Sequence, residues 1–172
     1  ALVVNVDMNI GLEVLMDNPS SVGTDLIVGA VAGINRYPVP LILIDMGTAT
    51  TICVVSENKQ YIGGMILPGY RLMKSSLAQG TARLPLASGE FRPFPRTTDD
   101  AIETGCLSAQ AGAIEAMAAR LAAAGQRDVR VLLSGGDAAR LAPCLSQPCA
   151  IVDNLALYGL AALAAPDQET PR

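Results

Sequence analysis

The 172-residue sequence contains no histidine and no tryptophan, and only 3% of its residues are aromatic. The absence of histidine excludes Ser-His-Asp and Cys-His nucleophilic sites and histidine-ligated zinc, so proton transfer falls to carboxylates, Lys, Tyr or water. With so few aromatic side chains, any core is built from Ala, Val, Leu and Ile. A charged fraction of only 16% argues against intrinsic disorder.

The charge balance is slightly acidic, with 12 Lys and Arg against 16 Asp and Glu and a net charge of −4. Because no basic stripe is present, we expect no nucleic-acid partner. The longest apolar runs are far shorter than the roughly 20 residues that a membrane span needs, so we expect no membrane partner either. The chain opens at Ala1 in an apolar run without Met, which we interpret as a fragment or a processed chain.

The four cysteines show no CxxC spacing, which argues against a zinc ribbon or a thioredoxin-like site. Cys53 and Cys106 occur in apolar patterns that are typical of buried residues. Cys144 and Cys149 flank a short loop, and a disulfide between them stays open as an alternative. We favour reduced thiols and a cytoplasmic setting.

Hydrophobic periodicity predicts strands that alternate with helices, which favours an α/β fold. The predicted strands are 11–16, 41–45, 52–56, 60–66, 130–134 and 150–152. The predicted helices are 22–35, a part of 68–80, 98–125, 137–145 and 154–164. Ser20 or Ser21 is the predicted cap of the first helix, and interruptions of the long Ala-rich helix are predicted near Gly105 and Gly112.

The strongest local signal for chemistry is Asp45-Met46-Gly47-Thr48-Ala49-Thr50-Thr51, in which a strand delivers a carboxylate to a glycine turn followed by hydroxyl residues. Glycine lets the backbone approach a phosphate closely, and hydroxyl and amide groups bind its oxygens. Asp45 is placed to hold a cation or a water near such a phosphate. An ordinary β-turn with a solvated carboxylate is the alternative.

Two weaker signals stand before predicted helices. Ser134-Gly135-Gly136-Asp137 follows a strand, an arrangement that can set a helix N-terminus against a nucleotide, although for this motif alone we favour a plain strand-to-helix connection. Asp25 follows Gly23 in the first turn of a helix, where complementarity with the helix dipole is the alternative explanation. No P-loop or GxGxxG motif occurs, so P-loop and Rossmann nucleotide sites have no support.

Seven motifs occur in order over nearly the whole chain, and together they resemble the type III pantothenate kinase family of the sugar kinase, chaperone and actin superfamily. They are Asp17-Asn18-Pro19 with Val22-Gly23-Thr24-Asp25, Asp45-x-Gly47-Thr48-Ala49-Thr50-Thr51, Tyr61-Ile62-Gly63-Gly64-x-Ile66-x-Pro68-Gly69, Thr81-Ala82-x-Leu84-Pro85, Thr98-x-x-Ala101-Ile102-x-x-Gly105, Ser134-Gly135-Gly136-Asp137 and Asn154-Leu155-x-Leu157-x-Gly159-Leu160. Each motif alone is weak, whereas their order is specific. The match covers the C-terminal two-thirds of the family pattern.

The resemblance implies an actin-like (ribonuclease H-like) α/β kinase lobe with a mixed sheet flanked by helices. Residues 1–38 are then the tail of a first lobe, 39–165 the second lobe and 166–172 a flexible tail. The family transfers the γ-phosphoryl group of ATP to the pantothenate hydroxyl, the first step of coenzyme A synthesis. It implies ATP, Mg²⁺ and a monovalent cation, K⁺ or NH₄⁺, and a dimer with the acid site near its interface.

The resemblance also implies roles for individual residues. Asp25 is implied to be the catalytic base, and Asp45 the ligand of the monovalent cation. The implied acceptor-binding residues are Gly23, Thr24, Asp25, Leu26, Met16 and Thr98. The implied ATP-binding residues are Gly47, Thr48, Gly135 and Gly136. Histidine is not needed, because phosphoryl transfer depends mostly on positioning and charge neutralisation.

Three departures from the family pattern affect these expectations. The family begins with a strand and turn whose Asp and Asn bind the ATP phosphates, and nothing before Gly11 matches it. Leu26 stands where the family has an Arg that pairs with the pantothenate carboxylate, and Leu cannot do so. Met16 stands where the family has a Tyr that contacts the substrate.

Three interpretations remain open on the sequence. We favour part of a kinase that needs a separate N-terminal lobe or partner subunit, because Asp25 is retained. A non-catalytic relative that acts as a binding or regulatory module is the second, since the Arg and Tyr equivalents are absent. A kinase for a different, uncharged hydroxyl substrate is the third, because Leu26 and Met16 make the pocket more apolar.

Overall fold

A computed structural model describes residues 10–164, which form a six-stranded mixed sheet with helices on both faces. The strands are β1 (Glu13–Val14), β2 (Leu41–Met46), β3 (Ala49–Val55), β4 (Gln60–Pro68), β5 (Arg130–Gly135) and β6 (Cys149–Ile151). The helices are α1 (Thr24–Arg36), α2 (Tyr70–Gly80), α3 (Thr98–Ala123), α4 (Ala138–Leu141) and α5 (Leu155–Ala164). The α/β lobe with a mixed sheet flanked by helices is therefore confirmed.

The strand order is β1-β4-β3-β2-β5-β6. Strands β2, β3 and β4 form an antiparallel meander, whereas β5 lies parallel to β2 and β6 parallel to β5. Because β2 and β5 are parallel neighbours, their carboxyl ends meet at the same edge of the sheet. In open α/β sheets this edge is where ligands bind.

Two apolar layers cover the sheet because successive side chains of a strand point to opposite faces. On one face, Ile42 and Ile44 of β2 pack with residues of α2, α3 and α4. On the other face, Leu41 and Leu43 pack with residues of α1 and α5. Every side chain of β2 is buried except that of Asp45, so this strand is held rigidly at the centre of the sheet.

Two local predictions are wrong. The residue that caps α1 is Gly23, with no side-chain hydrogen bond, whereas Ser20 and Ser21 belong to a short 3₁₀ turn before it. Helix α3 runs without interruption through Gly105 and Gly112. At both glycines a side chain would meet open space, so neither marks a close contact that bends the helix.

The other predictions concern the cysteines, a membrane span, the two ends of the chain and the lobe boundary. Cys53 and Cys106 are buried as predicted, and all four cysteines are free, so the disulfide between Cys144 and Cys149 does not form. No helix within residues 10–164 is long and apolar enough to cross a membrane. Predictions about Ala1 and the tail 166–172 lie outside the described residues. The lobe boundary at residue 38 stays a prediction. Contacts cross this position, because β1 pairs with β4 and α1 packs against α5.

Candidate functional site

A cavity of about 260 Å³ opens at the carboxyl ends of β2 and β5. Its polar wall consists of Asp25, Asp45, Thr51, Ser134 and Asn154. Its apolar wall consists of Leu26, Leu43, Ile44, Leu155 and Leu157 with neighbouring small residues. Both charged side chains that line this cavity are acidic, so its field favours cations and the hydroxyl groups of a substrate.

Asp25 enters this cavity from the first turn of α1. The helix begins there because the carbonyl oxygen of Gly23 accepts hydrogen bonds from the amides of Leu26 and Ile27, at 3.0 and 3.2 Å. Behind that turn, Ile27 and Val28 are almost completely buried and fix the helix against the sheet. The Asp25 side chain is exposed, so it stands free on a rigid support.

Asp45 faces the same cavity from the second-last position of β2. In the sheet register it lies opposite Thr51 of β3 on one side and Ser134 of β5 on the other. The pKa of the Asp45 carboxyl is raised, first by the partial loss of solvent against the cavity walls and then by the negative charge of Asp25. A cation beside Asp45 relieves both effects.

The hydroxyl of Thr51 supplies a second oxygen at this point. It is buried and has no hydrogen-bond partner within residues 10–164. A carboxylate and an unpartnered hydroxyl on neighbouring strands suit a monovalent cation, which accepts oxygen ligands. No group of three or more Cys, Asp or Glu side chains in the described part of the chain is arranged for a multidentate metal site.

A second, larger cavity of about 820 Å³ lies beyond the turn that joins β2 to β3. The glycine turn of the Asp45–Thr51 motif is only two residues long, Gly47 and Thr48, and both line the cavity. The Gly69 amide donates to the Thr48 carbonyl at 2.9 Å, and a side chain on Gly69 would overlap the carbonyl oxygens of Gly47 and Thr48. Gly69 thus stabilises the turn through this hydrogen bond, and its lack of a side chain allows the close approach.

The opposite wall of this second cavity begins where β5 ends. Gly135 has a φ of +94°, and a side chain there would collide with the backbone of Met46. Only glycine fits at this position, where β5 runs directly beside the backbone of β2. Gly136 and Asp137 follow into the cavity wall, and Asp137 lies 3.3 Å from the Nε of Arg71.

The sequence interpretation missed a buried carboxylate, Glu103, behind the same wall. Its side chain is 1% exposed and accepts hydrogen bonds from Lys74 Nζ at 2.8 Å, from Arg140 Nη1 at 3.0 Å and from the Tyr70 hydroxyl. Burial raises the pKa of Glu103, but hydrogen bonds from Lys74, Tyr70 and Arg140 outweigh burial and hold it below its ordinary value. Glu103 is therefore ionised and forms ion pairs with both Lys74 and Arg140.

The sequence of α3 contains a pattern from which the buried position of Glu103 could be predicted. The buried positions Glu103, Cys106, Leu107 and Gln110 recur at intervals of three and four residues. A charged residue at such a position is rarely left without a partner. The sequence interpretation treated position 103 as a spacer inside the Thr98 motif, and so the signal was passed over.

The structure distributes the predicted site residues over four places. Asp25, Leu26, Asp45 and Gly135 line the first cavity, with Gly23 and Thr24 directly before Asp25. The second cavity is lined by Gly47, Thr48 and Gly136. Thr98 lies apart from both, in an apolar groove of about 420 Å³ between α2 and α3. Met16 is solvent-exposed beside Gly63 of β4, outside the lining of either cavity.

Known proteins resemble this chain over most of its length. A type III pantothenate kinase from Azoarcus sp. (strain BH72) is 44% identical over 151 residues, which cover 88% of this chain and 57% of that protein. The type III pantothenate kinase from Chromobacterium violaceum is 50% identical over 115 residues, covering 66% of this chain and 48% of that protein. The chain thus spans little more than half the length of the curated relatives it matches.

A solved structure shares the fold. The chain from Campylobacter jejuni, described as a conserved member of the Baf family of transcriptional activators, superposes with a TM-score of 0.62 at 20% identity. The superposition covers 88% of this chain and 66% of that one. The sequence profile of the type III pantothenate kinase family matches residues 1–120. Because that stretch is well over half of the 172 residues, the chain belongs to the type III pantothenate kinase family.

Proposed function

We propose that this chain is part of a type III pantothenate kinase, which transfers the γ-phosphoryl group of ATP to the hydroxyl of pantothenate in coenzyme A biosynthesis. The observation that carries the proposal is that Asp25 and Asp45 face one cavity, beside a turn of Gly47 and Thr48 that lines the next. Relatives at 44% and 43% identity are named type III pantothenate kinase, which supports the same reaction.

In the proposed reaction, ATP enters with Mg²⁺ and its phosphates lie against the Gly47–Thr48 turn, where the Thr48 hydroxyl can donate to anionic oxygens. Gly136 lines the same cavity and leaves room for the rest of the nucleotide, whereas Gly135 lines the first cavity. Asp25 accepts the proton of the attacking hydroxyl as its oxygen bonds to the γ-phosphorus, while the bond from that phosphorus to the β,γ-bridging oxygen breaks and ADP leaves with Mg²⁺. Positioning and charge neutralisation supply most of the catalysis in phosphoryl transfer, so one carboxylate at the acceptor is sufficient.

Asp45 and Thr51 are the residues proposed to hold K⁺ or NH₄⁺. The Asp45 carboxylate and the unpartnered Thr51 hydroxyl lie opposite one another in the β2–β3 register. When bound, the cation supplies positive charge near the phosphates. Asp45 and Thr51 fix the position of that charge, because both belong to central strands of the sheet.

Full activity is proposed to need more than this chain. The matched stretch is 57% of the Azoarcus protein, and the family pattern places phosphate-binding Asp and Asn residues in the remainder. We therefore expect an N-terminal lobe or partner subunit to complete the nucleotide cleft, in a cytoplasmic dimer. Thr98 lines a groove away from Asp25, so its proposed contact with the acceptor requires an assembly of that kind.

A kinase for a different hydroxyl substrate is the second candidate. The first cavity has an apolar wall that includes Leu26, and within residues 10–164 no Lys or Arg lines it. A carboxylate beside Asp25 and Asp45 meets only like charge there, whereas an uncharged alcohol does not. The two candidates differ in the charge of the acceptor and not in the roles of the two Asp residues.

The test is an ATP-dependent phosphorylation assay with pantothenate and with pantothenyl alcohol, its uncharged analogue, as acceptors. The 172-residue chain is assayed alone and together with the N-terminal lobe of the Azoarcus relative. We expect negligible turnover of pantothenate by the chain alone and clear turnover by the mixture. Faster turnover of the alcohol favours the second candidate, robust turnover by the chain alone contradicts the need for a lobe, and inactivity of both favours a non-catalytic module.

A further inference from the structure

The second cavity has an unusual distribution of charge. Arg71, Lys74 and Arg140 line it, and Asp137 is the acid that faces it within the described residues. Arg71 is paired with Asp137, while Lys74 and Arg140 are both tied to the buried carboxylate of Glu103. The lining therefore presents two cations whose common partner is hidden behind the wall.

Glu103 limits the freedom of both cations. Lys74 is only 14% exposed and lies 5.0 Å from the centre of the Tyr70 ring, and it donates to the Tyr70 hydroxyl at 3.0 Å. The guanidinium of Arg140 lies 5.2 Å from the same ring. The Arg140 side chain is 51% exposed and gives Nη1 to Glu103, which leaves its other N–H groups directed to solvent and cavity.

We propose that Glu103 is a positioning residue for the nucleotide: it holds Lys74 and Arg140 in the cavity wall so that they attract and orient the phosphates of ATP. The inference rests on the proposed function, since it takes the second cavity as the ATP site. Arg140 offers a planar set of donors suited to phosphate oxygens. Pre-ordering these long side chains removes an entropic cost that binding otherwise carries.

Positioning and simple electrostatics predict opposite effects when the Glu103 charge is removed. Glu103→Gln deletes one negative charge behind the wall, so Coulomb attraction alone would strengthen the binding of ATP. If Glu103 instead holds Lys74 and Arg140 in place, the same change releases both side chains and weakens ATP binding. The direction of the change therefore distinguishes the two explanations.

The experiment uses titration calorimetry to measure the dissociation constants of MgATP and of adenosine for the chain assembled with the N-terminal lobe that the proposed function requires. We expect Glu103→Gln to weaken MgATP about 10-fold, a change typical of one lost hydrogen bond to a charged group. Adenosine, which lacks phosphates, should bind unchanged. The matched control is Glu115→Gln on the same helix, where the carboxylate accepts hydrogen bonds from the amide and hydroxyl of Ser146 on the surface, and it should leave both constants unchanged.

Each other outcome overturns the proposal. Unchanged or tighter MgATP binding by Glu103→Gln contradicts a positioning role, and equal weakening of MgATP and adenosine indicates a merely structural one. If Glu103→Gln does not fold, Glu103→Asp decides, because it keeps the negative charge behind the wall but shortens the reach to Lys74 and Arg140. Glu103→Asp should weaken MgATP and spare adenosine, and no effect on MgATP overturns the proposal.

The proposed function fails in a distinguishable way. If the wild-type assembly shows no saturable binding of MgATP, the second cavity is not its nucleotide site, and the positioning role of Glu103 falls with it. If the wild type binds MgATP and the variants do not differ from it, the nucleotide site stands and the role of Glu103 alone is wrong.

Discussion

Asp25 and Asp45 line one cavity from two different elements, the first turn of α1 and the end of β2, and the charge of Asp25 helps to raise the pKa of Asp45. Two carboxylates that face one space repel each other unless a cation or a proton lies nearby. Both residues are solvent-exposed, but the cavity walls remove enough solvent from Asp45 to raise the pKa of its carboxyl. Their different surroundings suit different roles, a free base on a helix end and a cation ligand on a strand.

Replacement of Asp25 by Asn tests its role as the base. We expect Asp25→Asn to lower kcat by about 10²-fold or more in the assembled kinase, because the amide accepts no proton from the acceptor hydroxyl. The thermal unfolding midpoint should not change, since the side chain is exposed. Asp128→Asn, at an exposed turn before β5, is the control and should keep full activity. An unaltered kcat in Asp25→Asn removes the proposed role.

Replacement of Asp45 by Asn should change how stability depends on pH. The folded state raises the pKa of Asp45 above its ordinary value of 3.8, so the folded state binds this proton more tightly than the unfolded state. Such a group favours folding at low pH and opposes it as pH rises through the raised pKa.

In sodium buffer without K⁺ or NH₄⁺, Asp45→Asn should therefore unfold at a slightly higher temperature than the wild type at pH 7. The difference should shrink as the pH falls towards 3.8. Thermal unfolding followed by circular dichroism across this range measures it, with Asp17→Asn in an exposed turn as the control. A lower midpoint for Asp45→Asn at pH 7 would show that Asp45 has a stabilising partner.

Replacement of Leu26 by Arg should restore a partner for an acidic acceptor. Leu26 lines the first cavity directly after Asp25, and an Arg there can form a charge-assisted pair with a carboxylate. Such a pair contributes about 1.5–3 kcal/mol, so the KM for pantothenate should fall about 10- to 150-fold. The KM for ATP should stay nearly constant.

Steady-state kinetics of the assembled kinase measure both KM values, with the neutral Leu26→Met as the control. If the wild type already binds pantothenate tightly and Leu26→Arg gains nothing, the carboxylate is held elsewhere. The alignment of Gly23 to Leu26 with the acid-binding turn of the family would then lose its functional meaning.

Sequence periodicity predicted the strands and most helices of this fold because the central strands β2 and β5 are short apolar runs that are buried on both faces. It failed at Gly105 and Gly112, where glycine costs a helix about 1 kcal/mol each. The core contacts of Ile102, Cys106 and Leu107 on the buried side of α3 offset that cost. The cap of α1 was also misplaced, because a backbone carbonyl and not a serine hydroxyl receives the first amides.

The candidate site was predictable only where one motif carries it. Asp45, Gly47 and Thr48 lie on adjacent positions of one strand and turn, so their proximity follows from the chain itself. Glu103 and Lys74 come from different helices, and their meeting depends on how α2 packs against α3. Thr98 was assigned to the acceptor site from a motif. The packing of α2 against α3 instead places it in a separate groove, which the motif does not show.

Replacement of Gly69 by Ala tests the support beneath the Gly47–Thr48 turn. A methyl group at position 69 would overlap the carbonyl oxygens of Gly47 and Thr48, which are backbone atoms in a central hairpin. We expect Gly69→Ala to lower the free energy of unfolding by about 1–3 kcal/mol, the range for overpacking a buried position. The matched control is Gly80→Ala at the end of α2, where a methyl group meets nothing within 4 Å. That control should change stability by no more than about 1 kcal/mol, in the stabilising direction, because Ala restricts the unfolded chain. Urea unfolding measures both variants, and equal stability of the two would show that the turn yields without cost and does not depend on Gly69.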